Sequence, residues 1–192
     1  MSCIIYGVIN VKTKQPLKLP SSKLQKKPPF HIIKTPASAL PSMAASAAAP
    51  ATSLQFEPDC IFCQITSKST STTILYSDDK VIAFPDIRPS AFRHYLVIPV
   101  AHIPTVRDLQ RKTEDYSLVC HMLEVGQTLL RRDAPQCQYR FGFHQPPMNS
   151  VNHLHLHCQA MPYTPSWKCM KYLSLGPLGF IEADKFLEKI KP

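Results

Sequence analysis

Three histidines stand at alternate positions, His153, His155 and His157, separated by Leu154 and Leu156. In a β-strand, successive side chains point to opposite faces, so the imidazoles would share one face and the leucines would enter a core on the other. Neighbouring rings would lie about 6.7 Å apart, so one phosphorus or metal ion could be reached by two of them but hardly by three. Histidine transfers protons, attacks as a neutral nucleophile and binds metal near pH 7. The row therefore predicts phosphate chemistry or a metal site.

A zinc site is the strongest alternative to phosphate chemistry. A His-x-His pair on a strand offers two zinc ligands, and a third from elsewhere would complete a catalytic centre. Among the seven cysteines, the pair in Cys60-Ile-Phe-Cys63 alone has metal-ligand or redox spacing. The cysteine count is odd and no secretory signal is evident, which favours a reducing compartment over a disulfide framework. Spacing alone leaves metal hydrolysis and phosphate chemistry equally open.

The positive charge of the chain is concentrated before the predicted domain. The net charge is +9, but seven of the 22 lysines and arginines precede Glu57, whereas all 13 acidic residues lie from Glu57 onward. Residues 57–192 therefore carry a balance of only +2, and we expect no nucleic-acid-binding face. No apolar run approaches the roughly 18 residues of a membrane span, so no membrane association is expected.

Residues 1–56 are rich in Ser, Pro, Ala and Lys and contain no acid. Such a composition predicts a disordered leader, because it cannot bury enough apolar surface to order itself. It also resembles a plastid or mitochondrial transit peptide, although it lacks arginine. Alternatively, Met43 is the working start, since Met43-Ala-Ala-Ser resembles an ordinary processed N-terminus, and the protein is then cytoplasmic.

The sequence of residues 57–192 predicts an α+β fold with an antiparallel sheet, because short predicted strands form a meander around one long helical segment. Helical spacing covers residues 105–132, and a second amphipathic helix is predicted over 182–191. The predicted strands number five: 72–76, 81–84, 94–98, 138–144 and the histidine strand, 152–160.

Five motifs, in order along the chain, resemble the histidine triad family of nucleotide-binding proteins. They are Asp59-Cys-Ile-Phe-Cys63, Phe84-Pro-Asp86-Ile87, His94-Tyr-Leu-Val-Ile-Pro99, Ala101-His102-Ile103 and His153-Leu-His-Leu-His157. The segment Gly142-Phe-His144-Gln-Pro-Pro147 and the tail through Trp167 and Phe180–Lys189 are similar to the adenosine phosphoramidase and adenylylsulfatase branch, which has this longer C-terminus. This resemblance implies a HIT-like fold for residues 57–192, with a C-terminal extension, and a homodimer that shares a continuous sheet.

The resemblance also implies a reaction. Adenosine 5′-monophosphate derivatives, AMP phosphoramidates first and adenylyl sulfate second, would be hydrolysed through a covalent AMP–histidine intermediate. His155 would be the nucleophile, His157 would hold phosphate oxygen charge, His94 would support that cluster, and Ser150 would hydrogen-bond the leaving group. A neutral imidazole suits the first role if its other nitrogen keeps its proton on a backbone carbonyl.

Further positions match the family's nucleotide and metal sites. Asp86 would accept hydrogen bonds from both ribose hydroxyls, although an aspartate at this position could instead cap a turn. The purine pocket would comprise Ile61, Phe62, Ile65, Phe84 and Ile87. No cofactor is required for the reaction, but some relatives hold a structural zinc at the positions of Cys60, Cys63, His102 and His153.

Two other functions stay open at this point. The chain could be a regulatory module that binds nucleotide with vestigial turnover, or a zinc-dependent hydrolase that uses the three histidines as ligands. Three departures from the family pattern bear on the leaving-group preference. Gln159 stands where the family prefers an apolar residue, the Gly142-Phe-His144 segment replaces the one where relatives present an asparagine to ribose or phosphate, and Asn149 stands where glutamine is common.

Overall fold

The structure, a computed structural model, describes residues 56–192. The predicted leader, 1–56, and the alternative start at Met43 lie outside the described residues except for Phe56. None of the helices in the described part of the chain is long and apolar enough to cross a membrane.

The architecture is α+β, with one antiparallel sheet of seven strands in the order β1-β2-β3-β5-β4-β7-β6. The strands are β1 (Tyr76–Ser77), β2 (Val81–Pro85), β3 (Ala91–Pro99), β4 (Tyr139–Gln145), β5 (Leu156–Tyr163), β6 (Ser174–Leu175) and β7 (Leu178–Glu182). The helices are α1 (Ile61–Thr66), α2 (Thr113–Asp133) and α3 (Ala183–Ile190), with a 3₁₀ helix at Ser166–Tyr172.

The two sheet faces have different cores. Helices α2 and α3 cover one face, where Leu154, Leu156 and Cys158 join a large apolar cluster. On the other face, α1 contributes Phe62 and Ile65 to a smaller cluster that includes alternate residues of β2 and β3. The predicted alternation is confirmed: the two leucines enter the large core, and the three histidines belong to the face that carries α1.

The prediction of five strands is wrong by two. The extra pair is a C-terminal hairpin, in which Leu175 pairs with Leu178 across Gly176-Pro177. Gly176 has a φ of 65°, which suits the first central position of a two-residue hairpin turn. Strand β7 then pairs along the outer edge of β4.

Two element starts were predicted too early. Helix α2 begins at Thr113 rather than near 105, because Asp108 accepts hydrogen bonds from the backbone N–H and hydroxyl of Thr105 and holds a turn there. Strand β5 begins at Leu156 rather than 152, and the preceding backbone pairs elsewhere, with Leu154 N–H donating to Ile103 O. The first predicted strand, 72–76, is reduced to Tyr76–Ser77.

Candidate active site

The predicted nucleophile is held in the tautomer that attack requires. His155 is buried, and its Nδ1 lies 2.6 Å from the carbonyl oxygen of His153. The carbonyl can only accept, so Nδ1 carries the proton and the lone pair is on Nε2. Burial lowers the pKa of His155, against the opposing effects of this hydrogen bond and of Asp86, and favours the neutral ring. A neutral imidazole with a free lone pair on Nε2 can attack phosphorus.

A chain of hydrogen bonds sets the tautomers of the next two histidines. The backbone N–H of Ser90 donates to His94 Nδ1 at 3.1 Å, so the His94 proton is on Nε2. That Nε2 donates to His157 Nδ1 at 2.9 Å, which puts the His157 proton on its own Nε2. His157 Nε2 is buried and has no hydrogen-bond partner among the described residues. His157 therefore presents an uncommitted N–H donor beside His155, whose ring centroid is 5.0 Å away.

Burial keeps this crowded row uncharged. Desolvation lowers the pKa of His94 to about 4, although the Asp86 carboxylate opposes the shift. The pKa of His157 is also well below its ordinary value, because of burial first and the neighbouring histidines second. Neutral rings near pH 7 avoid the charge repulsion that adjacent imidazolium groups would create.

Asp86 directly follows β2, where it both holds a local turn and lies beside His94. Its Oδ1 accepts the Arg88 N–H at 2.7 Å, and its Oδ2 lies 3.4 Å from His94 Nδ1. The turn-capping role considered from the sequence is thus present. A carboxylate has about four acceptor sites, however, so both oxygens retain capacity for a further donor.

Three of the five predicted base-pocket residues share one cluster. Phe62, Ile65 and Phe84 are buried together, and the Phe62 ring makes edge contacts with Phe84 and His155. Ile61 and Ile87 are 46% and 94% exposed, respectively. Ser150 is exposed, and it lies in the loop between β4 and β5.

The four predicted metal ligands lie together although their positions span 93 residues. One ligand atom from each of Cys60, Cys63, His102 and His153 falls within 4.8 Å of the others. His153 donates its Nε2–H to Pro99 O, which leaves the Nδ1 lone pair facing Cys60 Sγ at 3.5 Å and Cys63 Sγ at 3.6 Å. A tetrahedral zinc with ordinary bond lengths separates sulfur and nitrogen ligands by about 3.6 Å. The donor set and its spacing fit zinc.

Two residues that surround the histidines were not predicted as site residues. Tyr172, from the C-terminal extension, is buried and packs its ring against His94 and His157. His144, on β4, has its ring centroid 4.8 Å from that of His157. Nothing in the local pattern around Tyr172 signals its position. His144 could have been found by aligning β4 with the histidine strand.

Known proteins resemble the chain in sequence and fold. Residues 59–172 match the family described as scavenger mRNA decapping enzyme C-term binding. The chain is 69% identical over 134 residues to the bifunctional adenosine 5′-phosphosulfate phosphorylase/adenylylsulfatase HINT4 of Arabidopsis thaliana, covering 69% of this chain and 92% of that protein. It is 36% identical over 140 residues to the adenosine 5′-monophosphoramidase HINT3 of Xenopus tropicalis, covering 71% and 90%. A histidine triad protein from Clostridium difficile superposes with a TM-score of 0.52 at 30% identity, covering 56% of this chain and 95% of that one.

Proposed function

The chain belongs to the histidine triad family, and on that premise we propose that it hydrolyses adenosine 5′-monophosphate derivatives through an AMP–histidine intermediate. AMP phosphoramidates and adenylyl sulfate are the substrate classes, in line with the names of its relatives. The observation that carries the proposal is the bond from His155 Nδ1 to the His153 carbonyl, since it leaves Nε2 free to attack. Detection of adenylate on His155 during turnover tests it.

In this mechanism, His155 Nε2 attacks the α-phosphorus and expels either sulfate, which leaves as an anion, or the amine, whose nitrogen takes up a proton from solvent as it leaves. The P–N bond to histidine forms as the bond to the leaving group breaks, and water then cleaves the adenylate to release AMP. His157 Nε2–H donates to a phosphoryl oxygen, and its orientation is set by His94. Ser150 hydrogen-bonds the leaving group, and Phe62, Ile65 and Phe84 form the floor of the purine pocket, with Ile61 and Ile87 at its exposed side.

We expect the exchange of Asp86 for asparagine to weaken recognition of ribose. An amide retains only one acceptor oxygen, and a hydrogen bond to a charged group contributes about 1.5–3 kcal/mol. Asp86→Asn should therefore raise KM for ribonucleotide substrates about tenfold. The decisive measurement is the ratio of kcat/KM between a ribonucleotide substrate and its 2′-deoxy analogue, which should fall towards one. An unchanged ratio would remove Asp86 from the ribose site.

Zinc bound by the Cys60, Cys63, His102 and His153 cluster is proposed to be structural. Four protein ligands leave no open position for water, so a metal there would tie α1 to the loop before β5 rather than take part in the reaction. Elemental analysis of protein purified without added metal should find zinc, and chelation should lower Tm more than it slows turnover. Cys63→Ala should lose the metal, whereas the control Cys120→Ala on α2 should keep it. A content of less than about 0.1 zinc per chain, measured with the cysteines kept reduced, would rule out a zinc site at this cluster.

The homodimer implied by the family resemblance is likewise a proposal. Strand β7 occupies the outer edge of β4, so a sheet continuous between two copies would join through β1 or β6, the two ends of the strand order. Both strands are only two residues long, so a sheet that continued from one copy to the other would be joined there by few backbone hydrogen bonds.

A further inference from the structure

Tyr172 is the buried residue of the 3₁₀ helix that follows β5. Its ring makes edge contacts with His94 and His157, at centroid distances of 6.1 and 5.7 Å and with interplanar angles of 80° and 76°. Edge-to-face contact at such a separation is a favoured arrangement of aromatic rings, so the tyrosine limits the tilt of both imidazoles. The C-terminal extension therefore supplies a wall for the pair of histidines that presents the proposed phosphoryl donor.

The hydroxyl of Tyr172 contacts the same hydrogen-bond relay at its first residue. It interacts with the side chain of Ser90, whose backbone N–H donates to His94 Nδ1 at 3.1 Å. Burial raises the pKa of Tyr172, against the opposing effects of Ser90 and Gln159, so the hydroxyl is neutral near pH 7. Tyr172 thus contacts every residue of the relay that runs from Ser90 through His94 to His157.

Arg140 on β4 fixes Tyr172 in this position. Its Nη2 donates to the carbonyl oxygen of Tyr172 at 2.7 Å, and its Nη1 donates to the Tyr163 hydroxyl at 2.7 Å. Tyr163 in turn stacks on the Tyr172 ring, with the ring planes 15° apart and the centroids 5.5 Å apart. Glu182 of β7 pairs with the same guanidinium at 2.6 Å. These contacts tie the C-terminal extension to β4 and β5, the second of which carries the histidines.

We propose that Tyr172 is a positioning residue of the reaction, which holds His94 and His157 in the arrangement that directs the His157 Nε2–H at the phosphoryl group. This proposal rests on the proposed function, and Tyr172 itself does not touch the substrate. A donor to a developing oxyanion is effective only when it is fixed in place before the reaction. Two rings joined by a single hydrogen bond can still tilt about that bond, and packing by a third ring removes this freedom.

The kinetic test removes the ring and keeps an apolar side chain. Tyr172→Leu is expected to lower kcat about thirtyfold and to change KM less than about twofold, because the loss falls on transition-state stabilisation. Tyr172→Phe retains the ring and should keep kcat within about threefold of the unmodified protein. The control Tyr139→Leu removes a half-buried tyrosine of the large core, whose hydroxyl donates to Ala134 O, and should lower Tm without changing kcat.

A double-mutant cycle shows whether Tyr172 acts through His157. In a His157→Phe background no donor is left to position, so Tyr172→Leu should slow turnover by less than about threefold more. A further loss of about thirtyfold would overturn the proposal, because Tyr172 would then act by another route. It would also be overturned if Tyr172→Leu raised KM and left kcat unchanged, or if Tyr172→Phe were as slow as Tyr172→Leu.

If Tyr172→Leu fails to fold, Tyr172→Phe takes its place in the cycle, and NMR supplies the deciding measurement. The His94 Nε2–H that donates to His157 should exchange with solvent faster in Tyr172→Phe, since the hydroxyl contact with Ser90 is lost. Exchange as slow as in the unmodified protein would overturn the proposal. Adenylate on His155 is measured separately, so a negative result for Tyr172 leaves the proposed reaction standing.

Discussion

Replacement of His155 by alanine is expected to abolish turnover while AMP binding and folding stay largely intact. His155 is the ring whose Nδ1 is bound to a backbone carbonyl and whose Nε2 is left with the lone pair. Alanine removes the nucleophile, and covalent and acid–base contributions together amount to several orders of magnitude in rate. Purified His155→Ala should be compared with His121→Ala, which removes a histidine of α2 that lies outside the site.

Steady-state rates with an AMP phosphoramidate provide the measurement, and Tm and AMP affinity report on folding. More than roughly a tenth of the original rate in His155→Ala would show that the nucleophile is misassigned. The regulatory alternative, in which the histidines only sense AMP, would predict little change in a rate that is already vestigial. The zinc-hydrolase alternative predicts instead that a chelator stops turnover.

The second large effect is expected at His157. Its Nε2–H is buried and uncommitted, and loss of a preorganised donor to a developing oxyanion costs about 10²–10³ in kcat. His157→Phe should therefore lower kcat by about that factor, with a smaller effect on KM. His94→Phe should lower kcat less, because His94 acts through the tautomer and position of His157.

A double-mutant cycle separates these two roles. If His94 works through His157, the double variant should be no slower than His157→Phe alone. Fully additive losses would mean that His94 touches the substrate independently. Thermal unfolding of all three variants serves as the control, because both side chains are buried.

Features encoded by local pattern were predictable from the sequence. The alternation of Leu154 and Leu156 with the histidines follows from strand geometry, and it persists although β5 begins only at Leu156. The close approach of Cys60 to Cys63 follows from one turn of helix. The prediction that His102 and His153 lie in the same site as these cysteines depended on the family resemblance, because no local rule relates positions so far apart in the sequence.

Features that depend on long-range pairing were missed. The Gly176-Pro177 turn was a local signal for a hairpin, but the pairing of β7 with β4 is tertiary, and so is the packing of Tyr172 against His94 and His157. In the sequence, His144 belonged to a segment that is similar to one branch of the family and departs from the asparagine of other relatives, and it was given no role in the site. The contact of its ring with His157 required the pairing of β4 with β5. The early predicted start of α2 failed because side-chain hydrogen bonds at Asp108 outweighed apolar spacing.

Mass spectrometry of the protein quenched in acid-free conditions during turnover tests the central claim most directly. With adenylyl sulfate or an AMP phosphoramidate as substrate, the account predicts one added adenylyl group per chain, mapped by peptide sequencing to His155 and absent from His155→Ala. The adduct should disappear as substrate is exhausted. A protein that turns over substrate with no adduct at any time, or with the adduct on another residue, would contradict the account.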